Sequence, residues 1–199
     1  MALLSKRRRA QITGPPGTRL VLHVGCGPLD HTALHESFRG PGWHELRLDI
    51  DPGVRPDIVG SITDMSAVPE SSVDAVYSQH NIEHVFAHEV AVAMGEFLRV
   101  LRPGGEVLLT TPDLQAVARA IASGQLEEAL FRTEAGDISP LDIVYGLRSD
   151  IEGGREYMAH RTGFTARTLG RKLAQAGFVN VRMLIADYSL WARAEKPTG

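Results

Sequence analysis

At 199 residues the chain suits one domain, or one domain with a sizeable insertion, and is long enough for a proper core. Its 43% hydrophobic and 23% charged residues are ordinary for a globular protein, and a net charge of −3 gives no overall positive field for nucleic acid. One cysteine, Cys26, excludes an intramolecular disulfide, and no apolar run approaches the ~18–20 residues of a membrane span.

The start, MALLSKRRRA, lacks the apolar stretch of a signal peptide, so a cytoplasmic location is expected. Residues 1–18 read as a flexible basic N-terminus carrying Lys6-Arg7-Arg8-Arg9, and residues 19–199 as a single domain. RLVLHV (19–24) is a short apolar run stopped by Gly-Cys-Gly-Pro, hence a buried strand and a tight turn. PLDHTALHESF (28–38) reads as a helix opened by Pro28. HELRLDI (44–50), DIVG (57–60) and VDAVYS (73–78) read as the second to fourth strands. Between 81 and 101, Val90, Met94, Phe97, Leu98 and Leu101 share one helical face, and Arg-Pro-Gly-Gly follows as a stop. EVLLTT (106–111) is a fifth strand. Thr165 can cap TARTLGRKLAQAG, which Gly177 closes. FVNVRMLIA and SLWARAE lie too close together for a crossover, so they form an antiparallel hairpin around Asp187.

Buried strands alternating with helices imply a Rossmann-like α/β fold, a mostly parallel sheet covered on both faces, here with an antiparallel edge hairpin. Residues 113–164 interrupt that rhythm with about fifty residues of helical and loop character. Emerging at the carboxyl end of a strand, this insertion reads as a lid over the ligand edge, or as a structural or dimerisation appendage. The oligomeric state stays open.

Gly25 and Gly27 in HVGCGP (23–28) allow a ligand close to the backbone. The dinucleotide fingerprint fails, because Asp30 stands at its third glycine or alanine position and faces a pyrophosphate badly. GPPGT (14–18) looks like the front of a phosphate loop, but the lysine and hydroxyl that should follow are missing. Asp49 ends the second strand 22 residues after Gly27, where a carboxylate can accept from a ribose diol; Asp51 is its rival, or only turn chemistry. Asp64 can accept from an adenine amino group, with Met65 against the ring. In QHNIEHVFAHE (79–89) His80, His84 and His88 recur every four residues, as metal ligands on a helix would. The fourth strand ends near Ser78, however, so His80 precedes the first regular helical turn, and no metal is expected.

VLHVGCGP, RLDIDP, GSITDM, SVDAVYSQHNIEHV and EFLRVLRPGGEVLLTTPD together resemble the class I S-adenosylmethionine-dependent methyltransferases, and among them the small bacterial "type 11" group. The resemblance runs motif by motif over residues 19–112, and AGFVNVRM matches the usual lead into the sixth strand. It implies a seven-stranded sheet with helices on both faces, S-adenosylmethionine as cofactor and S-adenosylhomocysteine as product. It implies a cofactor site of Val24, Gly25, Cys26, Gly27, Asp49, Ile50, Asp64, Met65, Gln79 and His80. The family commonly has an acid where this chain has His23, and often a third glycine where it has Leu29.

Methyl transfer needs alignment and exclusion of water, and an oxygen or nitrogen nucleophile can need a base, most often histidine. His80 is the first candidate and His160 the second. His84, Tyr145, Arg148 and Arg161 are candidates to line the substrate pocket, with Arg161 able to hold an acidic acceptor. A small-molecule acceptor is expected, with no nucleic-acid or membrane partner. A methyltransferase fold that binds without catalysing, and an NAD(P)-dependent Rossmann enzyme, are the alternative readings.

Overall fold

The computed structural model describes residues 12–30, 33–133 and 136–199. Lys6 to Arg9, and with them most of the basic N-terminus, lie outside the described residues. Among the described residues no helix is long and apolar enough to cross a membrane.

The frame is one seven-stranded sheet. Strands β1 (Arg19–Val24), β2 (Trp43–Asp49), β3 (Ile58–Val59), β4 (Val73–Gln79) and β5 (Leu101–Pro112) run parallel. The hairpin β8 (Val179–Ala186) and β9 (Ser189–Glu195) adds an antiparallel edge, giving the order β3-β2-β1-β4-β5-β9-β8. Both the parallel body and the antiparallel edge match the sequence-based expectation. The strands of the body are buried on both faces, which is why they read as apolar runs rather than as alternations.

The main core lies on one face of the sheet, under α1 (Val90–Val100) and α5 (Ala166–Ala176). Val90, Ala93, Met94, Phe97 and Val100 of α1 are fully buried, as are Leu169 and Leu173 of α5. A smaller cluster of Val21, Leu34, Phe38, Ala75, Tyr77 and Leu108 occupies the other face, with Trp43 and Trp191 packed against it.

Two elements depart from expectation. Of the helix read over 28–38, the described residues form only a 3-10 turn at Glu36–Phe38. Leu34 and Phe38 are buried but Leu29 is 67% exposed, so the apolar stripe is one turn long, too short to stabilise a helix. The helix read from residue 81 begins nine residues later. Ile82–His84 is instead a 3-10 turn, and Glu89 Oε2 accepts from Phe86 N at 2.9 Å, a side-chain bond that competes with helical pairing. Strand β5 also starts earlier than read, because Arg102-Pro103-Gly104-Gly105 is absorbed as an irregularity between the Val73–Leu101 and Ala75–Glu106 pairs. A Cβ on Gly105 would stand 2.9 Å from the carbonyl oxygens of Asp74 and Arg102, so only glycine fits there.

The segment 113–164 leaves and returns at one point: Leu114 N donates to Phe164 O at 2.9 Å, beside an isolated bridge between Asp113 and Phe164. Within it lie α2 (Leu114–Ala122), α3 (Pro140–Tyr145) and α4 (Arg148–Glu152), a 3-10 turn at Glu156–Met158, and a hairpin of β6 (Phe131–Thr133) and β7 (Gly136–Ile138) that the sequence did not signal.

Candidate active site

The carboxyl ends of β1, β2 and β4 converge with the last part of the insertion around a cavity of about 470 Å³. That volume lies in the range of small-molecule sites. The turn after β1 brings Gly25 and Gly27 to its wall, both with positive φ (63° and 60°). A Cβ on Gly27 would meet nothing within 4 Å, so open space lies directly against the backbone there. Arg47, buried in β2, braces this turn: its guanidinium donates to Gly27 O and, at 3.2 Å, to Arg55 O.

Asp49 closes β2, buried, its carboxylate accepting from Gly27 N and from Asp51 N, each at 2.9 Å. One aspartate thus locks the turns after two strands, and its remaining lone pairs border the cavity. Asp51 has a different employment: its Oδ1 caps Gly53 N, and its Oδ2 accepts from Tyr157 Oη at 2.9 Å. That bond spans 106 residues and fastens the insertion across the cavity.

Strand β4 delivers the next wall. His80 has φ 44°, a left-handed conformation that costs a non-glycine residue about 1–3 kcal/mol and is found at sites the surroundings over-determine. Here Thr110 holds it, accepting from His80 N at 3.1 Å. The imidazole is 43% exposed, with Nδ1 3.3 Å from Glu83 Oε1. Glu83 itself is 1% exposed, and Thr111 Oγ1 donates to its Oε2 at 3.1 Å. Burial raises the Glu83 carboxyl, but His80, His84 and His160 around it hold it below its ordinary value. Asn81 follows His80, and its Nδ2 is buried with no partner among the described residues; a Cβ on Gly25 would stand 2.5 Å from Asn81 Cγ.

Of the residues singled out in the sequence, Gly25, Gly27, Asp49, Ile50, His80, His84 and Arg161 line this cavity. Val24, Cys26 and Met65 do not: all three are buried, Met65 completely, with its backbone tied to Glu96 and Arg99 of α1. Ser61, Ile62 and Thr63 line the cavity where Asp64 and Met65 were expected, while Asp64 lies outside the wall and accepts from Ser66 N. Burial pushes the Cys26 thiol up to about 11, with Arg47 acting in the opposite direction. Gln79 lies on the other side of the strand, accepting from Tyr77 Oη at 2.7 Å, because alternate residues of β4 face opposite ways. His84 reaches the wall with both ring nitrogens at carbonyls, those of His80 (3.1 Å) and Ala159 (3.3 Å). His160 lies behind the wall, its Nδ1 2.7 Å from Ile143 O, and burial pushes its imidazole below the ordinary value. Neither Tyr145, which is 62% exposed, nor Arg148, which is paired with Asp142, lines the cavity.

The histidine ladder divides. His88 stacks on Phe86, with ring centroids 5.7 Å apart. Ligand atoms of Glu83, His84 and His160 gather within 4.8 Å of one another. In that cluster the His84 nitrogens face carbonyls and the Nδ1 of His160 does too. At His23, where a carboxylate was expected, Nδ1 lies 2.7 Å from Glu45 Oε1 on the neighbouring strand.

A glycine turn open to the cavity, an acid ending β2 and a sheet with a reversed edge hairpin match the Rossmann-like α/β fold and the ligand edge expected from the sequence. Residues 22–109 match the family model described as a methyltransferase domain. No curated protein matches the chain. Three of the solved structures that share the fold illustrate it. An O-methyltransferase family protein from Burkholderia thailandensis is 13% identical, with a TM-score of 0.58 over 91% of this chain and 52% of its own. The Burkholderia thailandensis 1,6-didemethyltoxoflavin-N1-methyltransferase, solved with its substrate and S-adenosylhomocysteine, is 16% identical, with 0.54 over 90% and 72%. A SAM-dependent methyltransferase from Archaeoglobus fulgidus is 14% identical, with 0.57 over 90% and 87%. The chain therefore spans about half the length of the first of these.

Proposed function

We propose that this protein transfers a methyl group from S-adenosylmethionine to a small-molecule oxygen or nitrogen nucleophile, with His80 as the base. The observation that carries the reading is the shared cavity: the Gly25–Gly27 turn and Asp49 face insertion residues Arg155, Tyr157, Met158 and Arg161 across one space. The residues fit the donor. Open space against Gly27 admits a ligand to the backbone, Asp49 offers acceptors for a ribose diol, and the unpaired amide of Asn81 offers a donor beside Gly25. Bound there, S-adenosylmethionine supplies an electrophilic methyl on a sulfonium sulfur.

The chain's own residues have three tasks. Asp49, Gly27 and Asn81 fix the donor. The Tyr157–Asp51 bond keeps the insertion over the cavity and water out, which strengthens every electrostatic contact inside. His80, with Nδ1 toward Glu83, presents Nε2 to take the proton of the acceptor as it attacks. Arg161 stands 4.8 Å over the ring of Phe86, a cationic and aromatic rim suited to a planar acceptor carrying negative charge.

Calorimetric titration with S-adenosylhomocysteine, S-adenosylmethionine and NAD tests the donor. Binding of both adenosyl ligands and not NAD is expected, with Asp49→Ala weakening it at least about tenfold, the worth of a charge-assisted hydrogen bond pair. Absence of affinity for either adenosyl ligand would sink the proposal. Labelled S-adenosylmethionine incubated with separate metabolite, RNA and protein fractions tests the acceptor, and label confined to RNA or protein would overturn the small-molecule reading.

A further inference from the structure

We propose that Glu83 is a positioning residue: its buried carboxylate holds the His80 imidazole by Nδ1 and so keeps Nε2 free as the proton acceptor. The inference rests on the reading of His80 as the base of a methyltransferase.

Burying a carboxylate costs several kcal/mol unless something compensates it. Glu83 is 1% exposed, and among the described residues no lysine or arginine nitrogen lies within 4 Å of its oxygens. What surrounds it is Thr111 from β5, His80 and His84 from its own turn, and His160 from the returning end of the insertion. The insertion is held at this point by main chain, since Arg161 N and Thr162 N both donate to the Glu83 carbonyl, at 2.8 and 3.2 Å. Thr111 needs only an acceptor, which an amide side chain would supply equally.

The remaining oxygen is the informative one. Among the described residues Oε1 is buried with no hydrogen-bond partner, and His80 Nδ1 stands 3.3 Å from it, close but not aligned as a hydrogen bond. Bonds of this kind are often long before ligands bind and tighten in the complex. Neither other histidine competes for it. The nitrogens of His84 face the carbonyls of His80 and Ala159, to one of which a neutral ring donates, and Nδ1 of His160 faces that of Ile143. The two oxygens of Glu83 thus divide the work: Oε2 is fixed to the sheet through Thr111, and Oε1 selects the Nδ1–H tautomer of His80. The arrangement follows the general rule that the partner of one ring nitrogen decides what the other can do. His80 is already pinned in backbone, with φ 44° and its N–H on Thr110, so the carboxylate fixes the last free variable, the ring.

Long-range proton–nitrogen NMR of the ¹⁵N-labelled full chain, on the alkaline side of histidine titration and with S-adenosylhomocysteine, reads the tautomer directly. The His80 signal is identified by its absence in His80→Ala. A protonated Nδ1 and an unprotonated Nε2 are expected in the wild type, with at least half of the population passing to the Nε2–H form in Glu83→Gln. A wild-type His80 already in the Nε2–H form, or a tautomer unchanged in Glu83→Gln, would overturn the proposal. If Glu83→Gln does not fold, the wild-type tautomer alone decides. Calorimetry on the same samples keeps the two readings apart. Loss of S-adenosylhomocysteine binding in the wild type would overturn the cofactor assignment, whereas the tautomer reports on Glu83 alone.

Discussion

At Asn81 a buried amide nitrogen without a partner among the described residues lies beside the glycine turn that borders the cavity. Such a group costs about 1–3 kcal/mol when nothing accepts from it, so its retention points to an acceptor supplied from outside the chain. Asn81→Leu is of similar size and removes the donor. Its melting temperature is expected to stay level or rise, while affinity for S-adenosylhomocysteine falls about tenfold, roughly 1.4 kcal/mol. A calorimetric affinity equal to wild type would remove Asn81 from the site. Asn81 did not stand out in the sequence as a site residue. Gly25, Gly27 and Asp49 did, because a tight turn and a strand-ending acid are local features that survive as patterns. The burial of Glu83 depends on Thr111 and His160, 28 and 77 positions away, and no local spacing encodes it. Met65 sits elsewhere for the opposite reason: the sequence placed it beside a ligand, but Ile62 and Thr63 take that wall while α1 draws Met65 into the core.

Among the elements, those with their own punctuation were legible. Helix α5 begins at Thr165, whose Oγ1 accepts from Thr168 N at 3.3 Å while Thr168 Oγ1 accepts from Thr165 N at 2.9 Å, and it ends at Gly177 with φ 104°. Thr165→Ala is expected to destabilise the protein by about 1 kcal/mol in urea unfolding, and Thr165→Ser to restore most of it. A loss below about 0.3 kcal/mol would mean that packing of Leu169 and Leu173 alone sets the start of the helix. The segment 28–38 carried a proline and a plausible apolar pair but no third anchor, and its local signals gave way to the turn that seats Phe38 against Trp43, with ring centroids 5.0 Å apart. The hairpin β6–β7 was invisible because its strands are three residues each and largely exposed, so no burial alternation marks them.

Across the whole molecule, acidic groups and imidazoles gather where the insertion meets the sheet, and this makes stability there depend on pH. Burial pushes His160 below its ordinary value near 6.5, against the upward pull of Glu83. The folded chain then binds fewer protons than the unfolded one just below that pH. The stability contributed by a neutral His160 is therefore complete above about 6.5 and is lost as pH falls through the lowered value. Two carboxylates add a second step. Burial works against the charge of Asp142, but the Arg148 and Ser139 hydrogen bonds hold its carboxyl well below the usual range. Glu83 is lowered by its imidazoles in spite of burial. Both contribute stability that is present above the ordinary carboxylate range, about 4, and lost as pH falls further. Asp142 and His160 belong to the insertion and Glu83 anchors its return, so the insertion should open before the sheet does. Hydrogen exchange followed from pH 8 downward is expected to show residues 139–162 losing protection first, starting below about 6.5, while β1, β4 and β5 hold. His160→Gln should abolish that first step and leave the one at lower pH. Simultaneous loss of protection in the insertion and the central strands would show instead that the insertion is no separate unit of stability.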